Sequence, residues 1–251
     1  GLAWALGKPL VGVDHLVGHL LAVFLRRGEK SPDPPRFPFV ALLASGGHTA
    51  IYRVDSPGAV RELGATRDDA AGEAFDKVAK AMGLGYPGGP VVDKLAERGD
   101  ANAVKLALPM GHTSSFDTSF SGIKTQVAAL VRNRALSEKE TADVCASFQR
   151  AVTTVLAKKL VAAAVHEGVE TVVLGGGVAA NRELRRRTSE LAAERGMRAV
   201  LPELASCTDN AAMIAYAGLV RLRAGERDAW DLVSSSKTSL PRTTRKGRGA
   251  R

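Results

Sequence analysis

Short apolar runs alternate with longer stretches of helical periodicity along most of the chain. The runs Phe39–Ala44 and Thr171–Leu174 are short and almost wholly apolar, which is typical of buried strands. The first of them is followed by SGGHT and a second run, Ala50–Val54, so we predict a hairpin with a glycine turn. Strands that alternate with helices predict an α/β fold.

Further elements follow from the same periodicity. Short strands are expected at Pro9–Val13 and Val200–Pro202, and Gly1–Gly7 has the character of a helix end. The predicted helices cover about His15–Arg27, Asp69–Met82, Phe120–Glu167 with breaks, a stretch from Asn181, and Asp209–Arg223. Gly28–Arg36 is a loop rich in proline and charge, and the chain shows no internal repeat.

Composition narrows the class of protein. The 251 residues are 45% hydrophobic and 24% charged, as in soluble globular proteins. No apolar run reaches the roughly 18 residues of a membrane span, and Gly1–Leu6 has no secretory pattern. The two cysteines, Cys145 and Cys207, give no disulfide framework. We therefore predict a cytoplasmic protein.

The formal net charge of +9 is partly local. Residues 234–251 carry six basic side chains and no acid: Lys237, Arg242, Arg245, Lys246, Arg248 and Arg251. Such a segment can contact an RNA backbone through counterion release. A disordered, solvated tail explains the same composition, and we favour that interpretation.

A histidine pair is the first candidate site. His15 and His19 lie four residues apart on a predicted helix, a spacing that chelates a metal, although two unrelated histidines would look the same. A zinc protease would need a glutamate between them, whereas Leu16–Gly18 are apolar or small. A third ligand must come from elsewhere. Asp209, at the start of the last helix, is either a helix cap or that carboxylate.

Glycine-rich turns form the second candidate site. Ser45–Thr49 follows a buried strand, and its two glycines suit either a simple hairpin turn or close approach to an anionic ligand. Gly175–Gly177 stands between a strand and a helix, a shape that favours phosphate or nucleoside binding. Acidic residues accompany these turns. Asp93 fits ribose binding or helix capping, and Asp68 with Asp69 fits the helix dipole.

Seven motifs together resemble one family. In order they are VDHLVGH, ASGGHT, DDAAGEAFDKVAK, YPGGP, TSFSGIKT, GGGVAAN and CTDNAAMIA. They resemble the bacterial tRNA N6-adenosine threonylcarbamoyltransferases, formerly labelled O-sialoglycoprotein endopeptidases, from about Pro9 to Leu219. The resemblance implies the two-lobed fold of actin, Hsp70 and sugar kinases. It also implies transfer of a threonylcarbamoyl group from threonylcarbamoyl-AMP to N6 of adenosine 37, in tRNAs that read ANN codons, with release of AMP.

The resemblance assigns roles to individual residues. His15, His19 and Asp209 match metal ligands for Fe(2+), with Zn(2+) as the alternative. Matches to the substrate-binding residues are Leu43, Ala44, Ser45, Gly46, Gly47, Asp76, Gly89, Asp93 and Asn181. Our candidate for the catalytic base is His48. The expected partners are tRNA, threonylcarbamoyl-AMP, a degenerate paralogue subunit (TsaB) and a small ATPase (TsaE), with no membrane.

The resemblance also implies domain limits. We expect residues 1–40 to be the remainder of an N-terminal lobe, 41–233 the catalytic body and 234–251 the basic tail. Because Gly1 is not Met and no capping residue precedes Leu2, the chain is predicted to lack an N-terminal part of its lobe and to be poorly soluble or inactive alone. Rival hypotheses are an actin-type phosphotransferase or ATPase, testable by ATP turnover, and a non-catalytic subunit, which would not be expected to keep all three ligands.

Overall fold

The computed structural model describes residues 1–26, 28, 31, 33–107, 110, 115–132, 134–238 and 240–241. The predicted tail residues 242–251 and the predicted helix end at Arg27 lie outside this range. The described residues form a mixed α/β structure, as the alternating pattern predicts. Among them, no helix is long and apolar enough to cross a bilayer.

In the described part of the chain, five strands form one sheet. They are β1 (Phe39–Ala44), β2 (Thr49–Ser56), β3 (Ala59–Ala65), β4 (Thr171–Gly175) and β5 (Arg198–Val200). The order is β3-β2-β1-β4-β5. Strand β1 pairs antiparallel with β2 and parallel with β4, so the predicted hairpin is confirmed. The central position of β1 explains its uninterrupted apolar sequence, because both of its faces are covered.

Helices lie along the sheet and connect its strands. In the described residues they are α1 (Leu2–Ala5), α2 (His15–Leu21), α3 (Ala71–Ala81), α4 (Gly88–Ala96), α5 (Ser121–Val131), α6 (Glu138–His166), α7 (Arg182–Ala193) and α8 (Ala211–Arg223). Successive β1 side chains enter opposite cores, because side chains alternate along a strand. Leu42 belongs to the core that contains Phe75 and Phe148, whereas Leu43 belongs to the core that contains Leu16 and Leu20.

Four details differ from the sequence predictions. Pro9–Val13 is not a strand. Backbone groups of this stretch form hydrogen bonds outside the sheet, since Gly12 N–H donates to the Asp228 carboxylate and the Leu10 carbonyl accepts from Asp228 N–H. Strand β3 was not predicted, and the last short strand is Arg198–Val200 rather than Val200–Pro202. Helix α2 is also shorter than predicted and continues as a 3-10 turn, Ala22–Phe24.

Candidate metal cluster and ligand cleft

The histidine helix α2 is fixed at its start and along one face. The Asp14 carboxylate accepts a hydrogen bond from Leu16 N–H at 2.9 Å and caps the helix. Gly18 lies against α8, where an added Cβ would be 2.9 Å from Ile214 Cδ1. Glycine at this position therefore leaves room for the Ile214 side chain where α2 packs on α8. That contact brings the residues just before α8 beside the histidines.

His15, His19 and Asp209 converge as a cluster. Asp209 Oδ1 lies 3.3 Å from His15 Nε2 and 2.9 Å from His19 Nε2. The two rings meet edge to face with centroids 4.8 Å apart. Nitrogen and oxygen ligands lie about 2.0–2.2 Å from a zinc ion, so ligand atoms around one ion are separated by about 3 Å. Asp209 Oδ1 lies at about this spacing from both imidazoles, and the three donor atoms all lie within 4.8 Å of one another, so the group is a candidate site for one metal ion.

Asp209 does not serve as the cap of α8. Asn210 fills that role, because its side-chain oxygen accepts from Met213 N–H at 3.0 Å. The Asp209 side chain is 75% exposed, and in the part of the chain that the structure describes its carboxylate pairs with the two histidines. The capping interpretation of Asp209 is therefore wrong, and its carboxylate lies within hydrogen-bond distance of the His19 imidazole.

His19 is the buried member of the cluster, with a side chain only 2% exposed. Burial and the neighbouring His15 lower the pKa of His19, with a smaller contribution from His48, although Asp209 acts in the opposite direction. A lowered pKa favours the neutral imidazole, which is the form that binds metals. Its Nδ1 has no hydrogen-bond partner among the described residues.

Glycines of the motifs allow the Ser45–His48 turn, the start of α3 and the loop after β4 to approach one another closely. Gly72, at the start of α3, lies against the Ser45–His48 turn, where an added Cβ would be 2.6 Å from Ser45 O. Gly176 adopts φ +83° beside the end of β1, where a Cβ would be 2.4 Å from Ala44 O. Both positions need glycine for close approach, and Gly176 also needs it for its left-handed backbone. The two contacts form one side of a cleft.

This cleft has a volume of about 360 Å³ and lies between α3, α4 and the loop after β4. Its lining includes glycine backbone, an aromatic floor at Phe75, the carboxylates of Asp76 and Asp93, and Thr208. Thr208 of the cleft lining directly precedes Asp209 of the histidine cluster, so the two candidate sites adjoin at this point of the chain.

Asn181 connects the cleft to the helices around it. Its oxygen accepts from Leu184 N–H at 2.9 Å and caps α7. Its amide nitrogen donates to Gln149 Oε1 at 2.8 Å and to Asp93 Oδ1 at 3.2 Å. Arg182 binds the other Asp93 oxygen at 2.8 Å. This network holds the Asp93 carboxylate at the rim of the cleft without occupying all of its acceptor positions.

The other predicted substrate residues divide into two groups. Gly46, Asp76 and Gly89 line the cleft, and Asp76 also accepts from Gly88 N–H at 2.7 Å, which fixes the start of α4. In contrast, Leu43 and Ala44 are buried in β1 and Gly47 is exposed, none of them in the lining. Ser45 and His48 close the hairpin turn through a 2.8 Å backbone hydrogen bond.

The sequence prediction did not identify Phe75, Thr208 or the role of Thr49. The Thr49 hydroxyl accepts from Ala71 N–H at 2.8 Å, so this residue of the SGGHT motif fixes the start of α3. Helical periodicity points Phe75 to the core, and it is both a core residue and the cleft floor. Thr208 could have been found from the sequence, since it directly precedes the candidate ligand Asp209.

The TSFSGIKT motif has a structural role. Asp68 accepts from the hydroxyls of Ser119 at 2.5 Å and Ser121 at 2.6 Å, and from Phe120 N–H at 2.7 Å. This places the Asp68 carboxylate at the start of α5 rather than in the cleft. The neighbouring Asp69 pairs with Lys77 and Lys124. We call these side chains the Asp68–Asp69 cluster.

The fold and site together define a class: an α/β protein with a glycine-walled cleft beside a His–His–Asp cluster. The model of the family "tRNA N6-adenosine threonylcarbamoyltransferase" matches residues 1–216. A relative of that name from Sorangium cellulosum is 63% identical and aligns with 100% of this chain and 73% of its own length. Another, from Verminephrobacter eiseniae, is 53% identical and aligns with 91% of this chain and 65% of its own length. The chain belongs to this family, which confirms the resemblance.

Solved structures support the fold. The crystal structure of full-length HypF in a phosphate- and nucleotide-bound form matches 92% of this chain with a TM-score of 0.63 at 14% identity. The structure of T. kodakarensis HypF matches 89% with a TM-score of 0.64 at 16% identity. Each match covers 38% of the HypF chain. At such low identity the likeness establishes a shared fold, in agreement with the predicted α/β class.

Proposed function

We propose that this protein transfers a threonylcarbamoyl group from threonylcarbamoyl-AMP to N6 of adenosine 37 in tRNA, with release of AMP. The observation that carries this proposal is the adjacency of Thr208, which lines the cleft, to Asp209 of the His–His–Asp cluster. The donor substrate has a nucleotide end and an acyl end, and the molecule offers two adjoining sites of matching chemistry.

The cleft suits the nucleotide end. Phe75 and Pro87 offer apolar contact for an adenine ring, and the Asp76 and Asp93 carboxylates offer acceptors for ribose hydroxyls. The backbone near Gly46 and Gly177 lies open to the cleft, and glycine permits a phosphate to approach closely. These contacts would leave the acyl end near Thr208 and the cluster.

His15, His19 and Asp209 would hold the metal, Fe(2+) or Zn(2+). Two imidazoles and one carboxylate leave open positions around such an ion. When bound, the ion would supply Lewis-acid polarisation and a template for the oxygen atoms of the threonylcarbamoyl group. Asp209 would balance part of its charge, and the buried His19 would fix its position.

The transfer replaces one bond with another. The N6 amine of adenosine attacks the carbamoyl carbon, the bond from that carbon to the AMP phosphate oxygen breaks, and AMP leaves with the electron pair. One amine proton must be removed, and His48 is our candidate base because it is exposed at the SGGHT turn and contributes to the lowered pKa of His19. Because AMP is a good leaving group, the residues of the cleft act chiefly by positioning.

The wider setting follows from the family resemblance. We propose that the protein works in the cytoplasm with a degenerate paralogue subunit and a small ATPase. The target adenosine lies in a single-stranded loop, where a base is accessible without opening a duplex. The chain spans 65–73% of the length of the two relatives described above, so these partners are proposed for the whole protein.

The test is nucleoside analysis. A strain depleted of its own enzyme would be complemented with this protein or with its Asp209→Ala variant. Mass spectrometry of digested tRNA should find N6-threonylcarbamoyladenosine with the first and almost none with the second. An Asp231→Ala variant, which removes an exposed carboxylate outside the site, is the matched control. Absence of the modified nucleoside with the unaltered protein, at normal expression and with both partners present, would overturn the proposal.

A further inference from the structure

The C-terminal segment formed by Thr238, Leu240 and Pro241 contacts the start of the histidine helix through Thr238. The Thr238 hydroxyl donates to Asp14 Oδ2 at 2.6 Å, while Asp14 Oδ1 accepts from Leu16 N–H. One carboxylate thus joins the C-terminal segment to the first turn of α2. Asp14 immediately precedes His15, so this contact lies one residue from a candidate metal ligand.

The same segment is anchored at its other end. Leu240 packs against the core that contains Leu16 and Leu20. The Pro241 carbonyl accepts from Glu62 N–H on the edge strand β3 at 3.3 Å. Thr238 and Pro241 therefore contact the cap of α2 and the edge of the sheet, and Leu240 lines a cleft of about 790 Å³ together with Asp14 and Val17.

We infer that Thr238 is a positioning residue for the metal cluster, acting through Asp14 on the first turn of α2. The inference rests on the proposed metal site. His15 needs such support more than His19 does, because its side chain is 51% exposed and that of His19 only 2%. A buried ring is held by packing, whereas an exposed ring depends on the backbone that carries it. A charge-assisted hydrogen bond of 2.6 Å to the cap is a strong restraint on that backbone.

The experiment compares three variants of the full chain. Thr238→Val removes the hydroxyl and keeps the shape, and Thr238→Ser keeps the hydroxyl. Ser235→Ala removes a hydroxyl three residues before Thr238, one that in the described part of the chain bonds to the Lys237 backbone. Circular dichroism and thermal unfolding establish that each variant is folded.

Two measurements then test whether Thr238 positions the metal cluster. Hydrogen exchange of the backbone amides of residues 16–19, in metal-free protein, should speed up in Thr238→Val alone. Competition with a chelator for Zn(2+) should show an affinity about three- to tenfold weaker in Thr238→Val, less than the ten- to hundredfold loss typical of partners that bond directly to ligands. Thr238→Ser and Ser235→Ala should match the unaltered protein in both.

Unchanged exchange in Thr238→Val would overturn the inference, as would equal losses in Thr238→Ser. If exchange speeds up but zinc affinity stays the same, Thr238 orders the helix without serving the metal, which also overturns it. If the unaltered protein binds no zinc, the proposed metal site fails and this inference fails with it. The exchange result would then still show whether Thr238 orders the cap of α2.

Discussion

Asp209 and Asp68 both precede a motif helix, yet their surroundings differ. Asp68 is held by two serine hydroxyls and by backbone N–H groups of one turn, so its acceptor capacity is used within the protein. Asp209 is largely exposed and faces two imidazoles, one of which is deeply buried. A carboxylate whose hydrogen bonds are satisfied internally stabilises the fold. A carboxylate that converges with imidazoles at metal-ligand spacing is available for a ligand.

The same contrast holds for the lysines and arginines. Lys77 and Lys124 pair with Asp69 in the Asp68–Asp69 cluster, and Arg182 pairs with Asp93 beside the cleft. No such basic side chain is paired with Asp209 in the described residues. The comparison predicts that substitutions in the histidine cluster reduce activity more than stability, and that substitutions in the Asp68–Asp69 cluster do the reverse.

His15→Ala should show the largest effect. We expect transfer activity to fall roughly 100-fold or more, because a metal ligand is lost, while the free energy of unfolding of metal-free protein changes by less than about 0.5 kcal/mol, because the ring is half exposed. Steady-state transfer assays and denaturant titration of the metal-free protein measure the two quantities. A large loss of stability with normal activity would contradict the prediction that the histidine cluster serves activity rather than stability.

Gly176→Ala should give the next largest effect. A Cβ at φ +83° would be strained and would meet Ala44 O at 2.4 Å, so we expect destabilisation of about 2–4 kcal/mol. Gly177→Ala is the matched control, because a Cβ there meets nothing within 4 Å. Denaturant unfolding of both variants checks the prediction, and equal stability of the two would refute the close approach of the loop to β1.

Asp68→Ala should lower stability by about 1–3 kcal/mol, since it removes a helix cap and leaves partly buried donors without an acceptor. Zinc affinity, measured by chelator competition, should stay within about twofold of the unaltered protein if Asp68 is structural, a factor equivalent to about 0.4 kcal/mol. A loss of metal binding in this folded variant would mean that the two clusters are coupled.

The pH dependence of the stabilisation that Asp68 provides should be the smallest of these effects. Burial acts to raise the pKa of Asp68, but hydrogen bonds from Ser119, Ser121 and Phe120 outweigh it, and the pKa is lowered overall. A lowered folded pKa means that the stabilisation is complete above the unfolded value near 3.9 and is lost as pH falls through the folded value. The stability difference between the unaltered protein and Asp68→Asn should therefore shrink below about pH 4. Urea titrations at several pH values would detect this decrease, and a stability difference that stays constant with pH would contradict the prediction.

Sequence periodicity was sufficient for most of the fold and failed where tertiary contacts decide. The β1–β2 hairpin and helices α3, α7 and α8 follow from local patterns. Strand β3 was missed because AVRELGA mixes charges and glycine and pairs on one side with a shifted register. Pro9–Val13 looked like a strand, but it bonds to a segment more than 200 residues away.

The part of the site that depends on local sequence patterns could also be predicted. The i, i+4 spacing of His15 and His19 is local and visible in the sequence. The approach of Asp209 depends on the α2–α8 contact at Gly18, which no local pattern shows. Likewise, the pairing of Asp68 with Ser119 and Ser121 joins motifs about fifty residues apart. The substrate and metal roles of the predicted residues stay predictions.

The most direct test of the account is the metal content of the Asp209→Ala variant. Both the unaltered protein and the variant would be purified, loaded with Zn(2+) or Fe(2+), desalted and subjected to elemental analysis, with Asp231→Ala as the control. The account predicts about one ion per chain in the unaltered protein and the control, and nearly none in a folded Asp209→Ala variant. Full metal occupancy in Asp209→Ala would contradict the assignment of the cluster.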